Sequence, residues 1–61
     1  MQGVNLMKKK ILVIEDNEQN MYLMRFLLQK HGYYVIEAFD GAEGIRLALK
    51  LSPDLILLAQ K

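Results

Sequence analysis

The chain has no cysteine and a single histidine among its 61 residues. Neither a disulfide nor a thiolate zinc site can therefore staple the core, and His31 alone cannot hold a metal ion. No apolar stretch approaches the ~20 residues of a membrane-spanning helix, and the opening MQGVNLM is too short and too weakly apolar for a secretory signal. An excess of one charge is missing too. Eight Lys or Arg stand against seven Asp or Glu, a net charge of +1 that creates no field to gather nucleic acid. The one basic run, Lys8 to Lys10, reads as a solvated lead-in that keeps the apolar strand behind it from associating. The expectation is no nucleic-acid partner, no membrane partner and a cytoplasmic location.

Disorder is excluded by what is present, since 52% of the residues are hydrophobic and only one is proline. A chain of 7.1 kDa forms one domain at most and buries only ~60% of its unfolded surface. Stability must come from packing, within the chain or between chains.

Ile11-Leu12-Val13-Ile14 is a continuous apolar run of the kind found in a strand covered on both faces. From Asn20 to Lys30 the period becomes helical, with Met21, Leu23, Met24, Leu27 and Leu28 in one broad stripe and Tyr22, Arg25 and Gln29 opposite. Asn17 is placed to cap this helix, and Gly32 to end it in the left-handed region. Tyr34 to Ala38 form a second strand. In the helix that follows, Asp40 can cap the N–H of Glu43 while Glu43 reaches back. Ala42, Ile45, Ala48 and Leu49 line its inner face, with Glu43, Arg46 and Lys50 outside. It ends before Ser52-Pro53, and Asp54 to Leu58 read as the start of a third, buried strand.

Strands alternating with helices imply an α/β fold with a parallel sheet. Right-handed crossovers with strand 2 and strand 3 on either side of strand 1 give the order 2-1-3 and put the helices on opposite faces. Strand 3 then keeps one uncovered face and one unpaired edge, which invites pairing.

Functional sites in open α/β sheets lie beyond the carboxyl ends of the strands. Glu15 and Asp16 stand there, and adjacent acids suit a hard cation such as Mg²⁺; equally, two acids near a helix start are favoured by its dipole and face solvent at a turn. The connection EDNEQNM contains no glycine, so neither a dinucleotide fingerprint nor a P-loop is present. No nucleophile sits beside a base: Ser52 is at the opposite pole of the sheet, and His31, near a helix C-terminus, fits a capping role.

KILVIEDN, HGYYVIEAFDGAEGI and SPDLILL, in this order and at these intervals, resemble the first half of a receiver domain from bacterial two-component response regulators. The resemblance runs from about Lys9 to Leu58. It implies half of a flavodoxin-like fold whose full strand order is 2-1-3-4-5, with Glu15 and Asp16 as the Mg²⁺-binding acids and the residue after DLILL as the phosphoacceptor aspartate. That residue is Ala59. A methyl group neither attacks a phosphohistidine nor holds a metal, and the chain stops before the strands that carry the family's hydroxyl residue and lysine. Lys8 to Lys10 lie at the wrong end of the sheet to substitute.

These readings make residues 1–7 a flexible lead and 8–61 a half receiver domain, expected not to be an enzyme, to require no cofactor and to bind Mg²⁺ weakly at a vestigial site. Loss of acceptor and half-domain together fits a designed, truncated form. One expected function is self-association through Leu55, Ile56, Leu57 and Leu58 into a homodimer or higher homo-oligomer. The alternative is a binding module that competes with intact receivers for a histidine kinase or phosphotransfer protein. The resemblance maps that docking face onto Asn20, Met21 and Met24, residues that otherwise read as ordinary core or helix surface.

Overall fold

Five elements alternate along the chain: β1 (Lys10–Ile14), α1 (Glu18–Lys30), β2 (Tyr34–Ala38), α2 (Gly41–Leu51) and β3 (Leu55–Leu58). They come from a computed structural model that describes residues 8–59; the flexible lead expected for residues 1–7, and Gln60 and Lys61, lie outside the described residues.

The sheet is parallel in the order β2-β1-β3, as the crossover argument requires. Leu12 pairs with Ile36 on one side and Ile56 on the other. Alternation along the strands divides the core into two layers. Ile11 and Val13 meet Met21, Met24, Leu28, Val35 and Leu57 under α1, while Leu12, Ile36 and Ala38 meet Ile14, Leu47 and Ala48 under α2.

The helix ends follow local chemistry. Asn17 Oδ1 accepts the N–H of Asn20 at 2.8 Å, and α1 starts at Glu18, two residues before the expected start at Asn20. At the far end His31 Nδ1 lies 3.0 Å from the carbonyl of Leu27, and Gly32 takes φ +90, the conformation a glycine adopts without cost. Asp40 Oδ1 accepts the N–H of Glu43 at 2.8 Å, and the Glu43 carboxylate reaches back to the N–H of Phe39 at 2.9 Å.

Both apolar stripes are narrower than their sequences predict. On α2, Gly44, Leu47 and Ala48 turn inward. Contrary to the expected inner face, Ala42 is exposed, and Ile45 and Leu49 are 66% and 81% exposed. On α1, Leu23 and Leu27 are more than half exposed. Arg25, expected on the outer face, instead forms an ion pair with Glu37 of β2 and lies over the Tyr22 ring at 5.4 Å. A three-stranded sheet is only about 10 Å across, no wider than one helix, so it covers little more than a single row of side chains. Gly44 is the point of closest approach: a Cβ there would stand 2.5 Å from Cδ1 of Ile14.

Candidate functional site

The carboxyl ends of the strands frame an open concavity of about 280 Å³ lined by Ile14, Glu15, Asp16, Phe39, Asp40, Leu58 and Ala59. Residues far apart in sequence meet there because parallel strands bring their ends to one pole. The N–H of Ala59 donates to the carbonyl of Ile14 at 3.0 Å, and that of Glu15 to Ala38 at 3.0 Å. The first bond ties the end of β3 to that of β1, and the second ties the end of β1 to that of β2.

The acidic neighbours have different surroundings. Glu15 is 4% exposed, and its Oε2 accepts the N–H of Asn17 at 2.8 Å, which closes the turn into α1. Asp16 is exposed. Asp40 lines the same concavity, although one of its oxygens caps α2. Sequence reasoning gives Asp40 only the capping role, although the parallel order 2-1-3 already sets the end of β2 beside that of β1.

The third strand departs from the expected buried type. Leu55, Ile56 and Leu58 are 52%, 48% and 59% exposed, and only Leu57 packs against a core layer. β1 bonds one edge of β3, and no described strand lies along the other.

By sequence the chain is 44% identical over 52 residues to the polar-differentiation response regulator DivK of Brucella anthropi, covering 85% of this chain and 42% of DivK. The DivK of Brucella ovis matches at the same identity and coverage. Protein PilH of Pseudomonas aeruginosa is 37% identical over 49 residues, 80% of this chain and 40% of PilH. This chain is a relative of response-regulator receivers. It spans about two fifths of the length of these relatives. No family profile matches it.

For a receiver relative, the test of the concavity is whether it fits a resident Mg²⁺. Among the described residues no group of three His, Cys, Asp or Glu side chains is arranged to hold a metal ion. One oxygen of Glu15 is already committed to its turn, and Ala59 offers only a methyl group. These residues do not fit a resident cation.

The docking residues that the receiver resemblance singles out do not share one surface. Asn20 is exposed and Met24 half-buried. Met21 is 1% exposed, packed with Ile11 and Val13, and presents nothing to a partner. The exposed apolar surface of α1 is instead carried by Tyr22 and Phe26, whose rings stack at 6.4 Å, and by Leu23, which with Tyr22, Glu18 and Gln19 lines a shallow groove. Periodicity divides this patch, with Tyr22 on the outer face and Leu23 in the core stripe, so it is legible only in the fold. No helix among the described residues is long and apolar enough to cross a membrane.

Proposed function

We propose that this receiver relative takes part in two-component signalling in the cytoplasm, associating with itself through β3 rather than transferring phosphoryl groups. The observation that carries the reading is the open edge of β3, with three large aliphatic side chains about half exposed. Edge strands of soluble proteins are normally blunted by charge, proline or cover, and Leu55–Leu58 has no charge or proline. A stable association would bury more than ~1,000 Å² in total, which the strand alone does not provide; the exposed Leu27 of α1 and Ile45 of α2 add to it. Ala59 beside Glu15 and Asp16 supports the second half of the reading, because a methyl group supplies no nucleophile. Mg²⁺ is at most a weak visitor at Asp16.

The test is solution mass by light scattering across a dilution series, with circular dichroism on the same samples. A dimer whose helical signal falls as it dissociates is the expected result, and a native-like monomer at low micromolar concentration overturns it.

A second reading is favoured by Tyr22, Leu23 and Phe26 on the outer side of α1: a module that competes with intact receivers for a histidine kinase or phosphotransfer protein. Adding the chain to a kinase and receiver pair would then slow phosphoryl transfer to the receiver; unchanged transfer at excess chain removes this reading.

A further inference from the structure

A net charge near zero conceals a separation of charge along the strands. We infer that the pole where the strands begin is a docking surface for an anionic lipid bilayer, against the expectation of no membrane partner drawn from overall charge.

In a parallel sheet with helical crossovers every strand starts, and every helix ends, at one pole. The fold gathers five lysines there. Lys8, Lys9 and Lys10 lead into β1, Lys30 ends α1 and Lys50 stands in the last turn of α2. Hydrogen bonds tie these segments together. The carbonyl of Lys9 accepts the N–H of Tyr34 at 2.8 Å and that of Leu28 the N–H of Tyr33 at 3.0 Å, while Lys10 Nζ donates to the carbonyl of Leu51 at 2.8 Å. The ends of both helices and the starts of β1 and β2 therefore share one surface. Among the described residues Asp54 is the one acid at this pole, and its carboxylate accepts the N–H of Lys10 at 2.7 Å. At the opposite pole stand Glu15, Asp16, Glu18, Asp40 and Glu43.

Part of this arrangement serves the helices. Cations near a helix C-terminus answer its dipole, which accounts for Lys30 and Lys50, and the Lys10 ammonium is committed to Leu51. Lys8 and Lys9 belong to no helix and are exposed, so the helix dipoles do not explain them. Nor does the surface depend on β3 or on what adjoins it, because it is centred on β1, both of whose neighbours are in the described sheet.

The chemistry selects the occupant. Every cation named at the pole is a lysine, a strongly hydrated point charge that meets phosphate without a fixed orientation. Arginine, whose planar fork suits nucleic-acid recognition, is engaged elsewhere, with Arg25 on Glu37 and Arg46 near Glu43. Tyr33 and Tyr34 are exposed beside the lysines, and tyrosine rings settle at the level of lipid headgroups. A bilayer is a plane of charge that needs no register, and clusters of about four to eight basic residues attract anionic headgroups. Docked in this way, the chain turns its acidic pole and the concavity of Glu15, Asp16 and Asp40 away from the membrane, toward soluble partners.

The test is co-sedimentation of the full chain with vesicles of phosphatidylglycerol and phosphatidylcholine in equal parts, against vesicles of phosphatidylcholine alone. Binding to the anionic vesicles only, falling as salt is raised, is expected. Each lysine near the surface strengthens binding about fivefold, so Lys8→Ala with Lys9→Ala should weaken it roughly 25-fold, while Lys8→Arg with Lys9→Arg should retain it. Both positions are exposed, and circular dichroism should show the same helical signal in each variant. Glu18→Gln also alters net charge by one, but it lies about a strand length, ~17 Å, from the lysines and beyond the ~8 Å screening length of physiological salt. It should leave binding unchanged. Equal binding to both kinds of vesicle, binding to neither, or full binding by the alanine variant overturns the proposal. A response to Glu18→Gln as large as the loss of one lysine also overturns it, because net charge and not this pole would then be in control. Tighter binding to a single-stranded oligonucleotide than to the anionic vesicles at the same salt assigns the pole to nucleic acid and overturns the lipid reading.

Discussion

Alanine at position 59 and glutamate at position 15 decide the chemistry of the carboxyl-end pole. Glu15 points its carboxylate at the Asn17 N–H and is buried doing so, so its first service is to the turn that launches α1. Replacing it with alanine leaves that N–H without its acceptor and is expected to lower stability by about 1–3 kcal/mol, measured by urea denaturation at fixed protein concentration. The opposite experiment is Ala59→Asp, which adds a carboxylate to a concavity already lined by Glu15, Asp16 and Asp40. Cation affinity rises with ligand charge, and calorimetric titration should find Mg²⁺ bound about tenfold more tightly. The same substitution puts a charge at the end of β3, so the proposed self-association should weaken and the mass fall as affinity rises.

Helix termini and one glycine govern the elements. Asp40 caps α2 while Glu43 holds the N–H of Phe39, two donors satisfied by a local pair. Asp40→Ala should cost ~1 kcal/mol, seen as a lower thermal midpoint. Gly44 is not singled out by its sequence, where it merely lowers helix propensity. In the fold it lets α2 settle on Ile14. Gly44→Val should cost about 1–3 kcal/mol by overpacking, and Ile14→Ala in the same background should recover part of the loss, a coupling that a double-mutant cycle measures directly.

At the scale of the whole molecule the limiting fact is width. Two helices on three strands leave Leu23 and Leu27 on α1, Ile45 and Leu49 on α2 and most of β3 in contact with solvent. Charge at the open edge is the simplest probe. Ile56→Lys, at a position about half exposed, should weaken self-association at least about tenfold, or ~1.4 kcal/mol, with a parallel fall in helical signal at low concentration. An unchanged dissociation midpoint would mean that the edge takes no part in assembly. High salt should leave the proposed self-association nearly unaltered, since β3 carries no charge for ions to screen.

The sequence by itself determined the order of elements, the parallel strand order 2-1-3 and the caps at Asn17, Asp40 and Gly32, because propensity, turn chemistry and crossover handedness are local or nearly so. It also brought Ala59 and the acidic pair to one pole, since strand ends in a parallel sheet must meet there. Tertiary structure alone decided which apolar residues are covered. Met21 and Leu23, two residues apart on one helix and equally apolar in a pattern, end far apart in exposure, and Ile45 and Leu49 are stranded outside. Periodicity gives the direction of a stripe but not its breadth, which is set by how much sheet lies beneath it. The burial of Glu15 and the reach of Arg25 to Glu37 were equally invisible, because each depends on where a neighbouring element stands rather than on the residues beside it.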